Sequence, residues 1–280
     1  MFKDKKIAVI GTGMMGEAMI RGLIAQGSVQ PEQIVGTNPL TDRNEEMQIK
    51  HGIHASTDNK QAVDSADIVV IATKPQILPR LVSDLNGQIQ SDALVLSIIA
   101  GVPISALVST VDHTAVARAM PNTPAQIGEG MTVWTATDSV TEEQLQQARE
   151  IFGALGKEIY VDDESFLDMA TALSGSGPAY VFLMMEAMID AGVHMGFSRR
   201  ISRELVFQTM LGSVQYAEQS GKHIAELRNQ VTSPGGTTAE ALYHMDKGGF
   251  RTVVSRGIWA AFQRSRSLGQ GKKIKGPNTM

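Results

Sequence analysis

Glycines at positions 11, 13 and 16, directly behind the apolar run Ile7-Ala8-Val9-Ile10, have the spacing of a turn that holds a pyrophosphate. In such a turn Gly11 permits the sharp reversal, Gly13 lets the backbone approach the phosphates, and Gly16 lets helix and strand pack closely. The N–H groups of the helix start, where Met14 and Met15 stand, then face the anion at the positive end of the helix dipole. Glycine-rich turns are common, so a plain strand–turn–helix corner competes with this reading. The β-branched run before the glycines and the helical pattern through Met19, Leu23 and Ile24 favour a dinucleotide.

The end of the expected second strand bears on which dinucleotide. Folds that bind NAD usually place Asp or Glu there, on the ribose hydroxyls. Here the stretch is Val35-Gly36-Thr37-Asn38-Pro39, with an amide in place of the carboxylate. Asn38 does not repel a 2′-phosphate, and Arg43 is close enough in sequence to pair with one through two hydrogen bonds. NADPH is therefore the expected cofactor, with NADH as a second possibility. The competing reading makes Asn38-Pro39 a turn and Arg43 a solvated helix residue. Ala72, Thr73, Lys74 and Pro75 follow the third apolar run, at a strand end where cofactors lie, and Lys74 has the reach to meet phosphates. An exposed lysine ahead of a helix-starting proline explains the same residues. Asn122, inside Met120-Pro121-Asn122-Thr123-Pro124, suits a rigid loop at the nicotinamide and equally any rigid turn.

The second half carries a different kind of site. Ser233-Pro234-Gly235-Gly236-Thr237-Thr238 precedes a helical stretch. Two glycines free the backbone to form a nest of N–H groups, the helix start adds its dipole, and Ser233, Thr237 and Thr238 add hydroxyl donors. A small carboxylate fits such a loop without any arginine. Thr237-Thr238-Ala239-Glu240 also matches a capping box, which accounts for one threonine and Glu240 but not for the glycines and the other hydroxyls. Ser174-Gly175-Ser176-Gly177-Pro178 opens a long helix, where small residues admit a second backbone or a ligand, and Pro178 suits the first helical position.

These residues need elements to hold them. The chain has 280 residues, enough for one large domain or two ordinary ones, and 42% of them are apolar. Seven apolar strands, starting at Ile7, Gln33, Ile68, Leu94, Ala115, Met131 and Glu158, alternate with helical patterns through the first half. Thr141 is placed to cap one of those helices. Continuous apolar strands between helices predict an α/β sheet covered on both faces, a Rossmann-like dinucleotide-binding domain over residues 1–162. Long helical stretches follow, so residues 163–280 are expected to form an all-α domain, with the tail 270–280 mobile. Methionines 184, 185 and 188 and the segment Ile258–Phe262 are more apolar surface than a small bundle buries, which points to a dimer.

Other classes are disfavoured. A net charge of −4 gives no reason to expect nucleic acid or an anionic membrane as partner. The absence of cysteine removes disulfides and thiolate chemistry, and the six histidines show no metal-ligand spacing, so no metal is expected. His51 and His54 read as a surface pair. The first apolar run is too short for a signal peptide. The uncharged stretch Ala93–Val111 is broken by Gly101 and Pro103, so it reads as strand, turn and short helix rather than a membrane span. A cytoplasmic protein is the expectation.

Taken in order, the motifs Gly11–Gly16, Ala72–Pro75, Met120–Pro124, Ser174–Tyr180 and Val231–Thr238 resemble those of the Δ1-pyrroline-5-carboxylate reductases. The resemblance covers nearly the whole chain, and Val231–Thr238 followed by Ala239-Glu240-Ala241-Leu242 is its most specific part. It implies NAD(P)H-dependent reduction of a cyclic imine to L-proline, the last step of proline synthesis. It also implies an all-helical C-terminal dimerisation domain, with larger rings in some members. By the same resemblance Asn59 falls where the family contacts the adenosine ribose, and Ser233, Gly236, Thr237 and Thr238 fall where it binds the substrate carboxylate. The residues agree with imine chemistry. A protonated imine needs little further activation, whereas ketone reduction wants a firm acid. The 3-hydroxyacid dehydrogenases of similar build place a lysine early in the corresponding long helix, and Pro178–Ile189 has none. Thr238 is the expected catalytic residue, its hydroxyl relaying a proton to the ring nitrogen. A 3-hydroxyacid-type NADP dehydrogenase is the alternative, and a non-catalytic NADP-binding sensor a more distant one.

Overall fold

The computed structural model describes residues 1–269, so the expectation for the tail 270–280 lies outside the described residues. Eight strands run in chain order: β1 (Ile7–Ile10), β2 (Ile34–Thr37), β3 (His54–Ser56), β4 (Ile68–Ile71), β5 (Leu94–Ser97), β6 (Val116–Met120), β7 (Gly130–Ala136) and β8 (Gly156–Tyr160). Seven helices accompany them: α1 (Met14–Ala25), α2 (Thr41–His51), α3 (Asn59–Val63), α4 (Leu78–Leu85), α5 (Ile104–Val111), α6 (Glu142–Gly153) and α7 (Ser165–Ala170). Five more follow: α8 (Gly177–His194), α9 (Arg199–Ser220), α10 (Ile224–Gln230), α11 (Thr237–Lys247) and α12 (Phe250–Gly269).

The strands form one sheet in the order β3-β2-β1-β4-β5-β6-β7-β8. Pairing is parallel from β3 to β6, β7 runs antiparallel to β6, and β8 is parallel to β7. The apolar runs explain why the sheet is covered on both faces. Ile7, Val9, Ile68, Val70, Leu94 and Leu96 lie in one core, with Met19, Leu23 and Phe152. The alternating residues Ala8, Ile10, Val69, Ile71 and Val95 lie in the other, with Leu81, Leu85 and Leu107. A strand buried on both sides cannot alternate apolar with polar, so it reads as a continuous apolar run. Chain order reverses between β1 and β4, and the crevice outside the carboxyl ends of these strands is where such sheets bind ligands.

Thr141 caps α6 as expected. Its hydroxyl accepts from the Gln144 N–H at 3.2 Å, and the Gln144 side chain accepts from the Thr141 N–H at 3.0 Å. A cap of this kind contributes about 1 kcal/mol. The uncharged stretch that begins at Ala93 is β5, a turn and α5, and no helix among the described residues is long and apolar enough to cross a membrane.

The chain divides into two compact units. One comprises Met1–Ser176 with the described residues from Ala261 onward, and the other Gly177–Ala260. In the second, α8 and α9 pack closely where Gly192 meets Ser202; a Cβ at Gly192 would lie 2.6 Å from the Ser202 hydroxyl. Its helices nonetheless leave large side chains bare, among them Phe182, Leu183, Leu211 and Trp259, each more than half exposed. An apolar groove of about 370 Å³ runs between α8 and α12, lined by Tyr180, Leu183, Met184, Phe250 and Val254.

Candidate active site

The glycine turn joins β1 to α1. The N–H groups of Gly11 and Thr12 both donate to the Thr37 carbonyl at 3.0 Å, which ties the turn to the end of β2. Gly11 has φ +102°, a conformation that a side chain rarely adopts, and a Cβ there would lie 2.8 Å from the Thr73 methyl. At Gly16 a Cβ would lie 2.2 Å from the Gly11 carbonyl oxygen, so only glycine lets α1 come this close to its own turn. Gly13 differs from both, because a Cβ there would meet nothing within 4 Å. It opens α1 without a side-chain cap, and Met14, Met15 and Gly16 donate to no acceptor among the described residues. Uncapped N–H groups beside an open glycine are what a pyrophosphate needs.

A second observation favours a ligand here. The Thr73 hydroxyl is buried and has no hydrogen-bond partner in the protein. Orphaned polar groups of this kind are costly, so a bound molecule that supplies a partner is favoured. Ala72 extends β4, its N–H donating to the Ile10 carbonyl at 2.8 Å, and Lys74 is exposed ahead of the short 3₁₀ turn Pro75–Ile77. The glycine turn and the Ala72–Pro75 segment are thus neighbours, and together they fit a dinucleotide.

The expected adenosine-side residues gather at the end of β2. The Asn38 amide donates to the Thr12 hydroxyl at 3.3 Å, and its oxygen accepts from the Leu40 N–H at 3.1 Å. No carboxylate stands at that position. Asn59 begins α3, accepts from the Thr37 hydroxyl at 2.7 Å and donates to Asp84 at 3.0 Å. Arg43 reaches back to the turn, where its Nε donates to the Thr12 carbonyl at 2.9 Å. Its terminal nitrogens meet Glu17 at 2.5 Å and Glu46 at 2.7 Å. Arg43 is therefore not the free solvated residue of the bland reading, and it is not empty-handed either.

Glu17 went unnoticed in the sequence because a carboxylate in the first turn of a helix is ordinary. In the fold it accepts from Arg43, from Lys50 at 2.7 Å and from His51 at 3.1 Å. The His51 side chain is thereby covered rather than one of a surface pair, with 7% of it exposed. Burial pushes the Glu17 carboxyl up, but the hydrogen bonds of Lys50, Arg43 and His51 and the charge of Arg43 outweigh it and hold the group at about 2. A carboxyl depressed in the folded state stabilises the fold above its unfolded value of 4.5, and that stability is lost as pH falls towards 2. The loss over this window is expected to be roughly 2–3 kcal/mol. Glu17→Gln should remove this component of the acid sensitivity, as read by denaturant unfolding across the window; equal pH slopes in the two proteins would contradict it.

Asn122 joins two of the remaining motifs. Its amide donates to the Ser174 carbonyl at 3.0 Å, and its oxygen accepts from the Met131 N–H at 2.9 Å. Ser174 and Gly175 lie in a π-helical turn, Thr171–Gly175, that separates α7 from α8. Such turns often mark functional positions. The close neighbour that Gly175 admits is the Met120 side chain, 2.8 Å from where a Cβ would stand.

In the other unit the loop before α11 is arranged differently from a capping box. The N-cap is Gly236, and no side chain caps the helix. The Gly236 N–H turns back to the Ser233 carbonyl at 3.1 Å, and Gly235 has φ +67°. The Ser233 hydroxyl lies against Gly236, where a Cβ would be only 2.4 Å away. Among the described residues no hydrogen bond takes up the hydroxyls of Ser233, Thr237 or Thr238. The helix N-terminus and three hydroxyls are thus left for something else. Among the described residues no three His, Asp or Glu side chains are placed to hold a metal ion.

Comparison with known proteins matches the two ends of the chain to different family models. Residues 164–268 match the family model "Pyrroline-5-carboxylate reductase dimerisation", and residues 6–101 match "NADP oxidoreductase coenzyme F420-dependent". The pyrroline-5-carboxylate reductase of Synechocystis sp. is 39% identical over 265 residues, 95% of this chain and 98% of that protein. The Escherichia coli (strain K12) enzyme of the same name is 37% identical over 95% of this chain and 98% of its own. A crystal structure of Plasmodium falciparum pyrroline carboxylate reductase with NADP bound superposes with a TM-score of 0.86 at 31% identity, covering 95% of this chain and 98% of that one. The sheet order, the glycine turn and these relationships lead to one assignment: the chain belongs to the pyrroline-5-carboxylate reductase family and is an oxidoreductase with a Rossmann-like N-terminal domain and a helical dimerisation domain.

Proposed function

We propose that the protein reduces the C=N bond of 1-pyrroline-5-carboxylate to give L-proline, the last step of proline biosynthesis, with NADPH as the preferred donor. The observation that carries the substrate reading is the start of α11, where uncapped N–H groups and the hydroxyls of Ser233, Thr237 and Thr238 meet no partner of their own. A carboxylate satisfies several of these donors at once.

Residues 1–162 hold the cofactor in this reading and residues 163–280 the substrate; the dimerisation match beginning at residue 164 supports that division. Gly11, Gly13, Met14, Met15 and Gly16 cradle the pyrophosphate. Ala72, Thr73, Lys74 and Pro75 border it, with the orphaned Thr73 hydroxyl as a donor. Asn59 meets the adenosine ribose, and Asn38 and Arg43 accommodate the 2′-phosphate. Asn122 serves the nicotinamide end by fixing the Met120–Pro124 loop to Ser174. The reduced nicotinamide supplies a hydride when bound. Ser233, Gly236 and Thr237 hold the substrate carboxylate and so fix the ring. The Thr238 hydroxyl accepts from the N–H of the protonated imine, whose C=N π electrons become the nitrogen lone pair as the carbon gains its C–H bond. Thr238 then relays a proton from solvent water to that lone pair, which makes the product a secondary ammonium. No strong acid is required, in keeping with the absence of lysine from α8.

The exposed apolar side chains of α8, α9 and α12 support a homodimer or a larger ring. A cysteine-free enzyme of amino-acid synthesis suits the cytoplasm.

The carboxylate assignment is tested with 1-pyrroline, which has the same imine and no carboxyl group. Its kcat/KM is expected to fall by about 100-fold or more, on the order of the 2.7 kcal/mol that two or more charge-assisted hydrogen bonds supply. Equal kcat/KM for the two imines would remove the loop from substrate binding.

A further inference from the structure

Arg43 has two unequal edges. Its inner edge faces Glu17, which is itself held by Lys50 and His51 and has 16% of its side chain exposed. Its Nε is fixed to the Thr12 carbonyl of the glycine turn. The outer edge faces Glu46, one helical turn further along α2, a side chain 53% exposed that among the described residues meets only Arg43. The inner carboxylate is thus locked by three cationic or hydrogen-bonding groups, while the outer one rests in solvent on a single contact.

Charge adds a second argument. Arg43 and Lys50 are balanced by Glu17 and Glu46, so the cluster is neutral with Glu46 in place and positive without it. Asn38 touches Thr12 as well, which sets Arg43 on the same side of the turn as the end of β2.

We infer that Glu46 is a specificity-determining residue, an internal competitor that occupies the outer edge of Arg43 and must yield that edge to a phosphate monoester. Glu17 keeps the guanidinium in position through the exchange. Glu46 therefore sets how far binding of a 2′-phosphorylated adenosine exceeds that of a 2′-hydroxyl one. The inference rests on the reading of Arg43 as the partner of the 2′-phosphate.

Calorimetric titration with 2′,5′-ADP and with 5′-AMP tests it without nicotinamide or turnover. Glu46→Gln is expected to tighten 2′,5′-ADP about two- to fivefold and to leave 5′-AMP unchanged, the range typical of an exposed ion pair. Glu45→Gln removes the same charge from the neighbouring exposed position and is expected to do less. Arg43→Met is expected to weaken 2′,5′-ADP about tenfold or more beyond any loss in 5′-AMP. If Arg43→Met leaves both ligands unchanged or weakens them equally, the cofactor reading of Arg43 fails and the inference with it. If Arg43→Met acts as expected but Glu46→Gln does nothing, the competitor alone is overturned. Equal tightening by Glu45→Gln and Glu46→Gln would also overturn it, because the effect would then be general charge.

Discussion

Gly16→Val is expected to weaken cofactor binding severely and to lower the stability of the fold. The added Cβ would lie 2.2 Å from the Gly11 carbonyl oxygen and 3.2 Å from its carbon, and both are backbone atoms that cannot rotate away. Either α1 moves off the turn or Gly11 is displaced, and the turn is held by hydrogen bonds from Gly11 and Thr12 to the Thr37 carbonyl. In either case the N–H groups of Met14 and Met15 leave the place where the pyrophosphate is held. A loss of about 100-fold or more in NADPH affinity follows, roughly 2.7 kcal/mol. Gly13→Ala separates the two consequences. A methyl group there meets no protein atom within 4 Å, so stability should stay within about 0.5 kcal/mol of wild type. It stands in the open space in front of the helix start, so affinity should still fall. Fluorescence titration with NADPH and thermal unfolding of both variants check this pair, and wild-type affinity in Gly16→Val would contradict the cradle.

Thr238→Ala is expected to lower kcat/KM by about 10- to 1000-fold, or about 1.4–4 kcal/mol, with NADPH affinity unchanged. The breadth reflects two roles that the hydroxyl combines. As a hydrogen-bond acceptor from the ring it contributes to positioning, and as a relay it acts only in the transition state. Thr238→Ser retains the hydroxyl and should recover most of the activity. Thr237→Ala should instead raise KM more than it lowers kcat, because that hydroxyl is assigned to the carboxylate. Unchanged kinetics in Thr238→Ala would remove Thr238 from the mechanism. The capping alternative makes the opposite prediction, a loss of stability without a specific kinetic effect. Its geometric basis is absent, since the helix is opened by Gly236 and neither threonine caps it.

That loop illustrates what the sequence could and could not convey. Thr237-Thr238-Ala239-Glu240 has the letters of a capping box, but the helix begins one residue earlier than the box requires. A start shifted by one residue turns caps into free donors. At Thr141 the same kind of pattern did form a box, because there the helix begins at Glu142. The central strands were legible because both faces are buried and the runs are unbroken. The edge strand β3 was not: His54-Ala55-Ser56 is three residues long and only half-buried, with no apolar run to betray it. Nor was α10, a short helix capped by the His223 ring, which accepts from the Ala225 N–H at 3.2 Å. The glycine turn and Asn38 could be placed because they follow strand ends, whereas Asn59, behind the unseen β3, was placed by resemblance alone. The pairing of Arg43 with Glu17 could not be foreseen, since the two are 26 positions apart and only the fold brings them together. The orphaned Thr73 hydroxyl was equally invisible, because burial without a partner is a property of packing.

The central claim is imine reduction, and the most direct measurement of it is the loss of NADPH absorbance on addition of 1-pyrroline-5-carboxylate, with pyruvate, and 3-hydroxyisobutyrate plus NADP⁺, as controls. The account predicts fast oxidation with the imine, stoichiometric formation of proline and silence with both acids. Turnover of an acid without turnover of the imine would contradict it and return the chain to hydroxyacid chemistry. Cofactor binding without turnover of any of the three would contradict it as well.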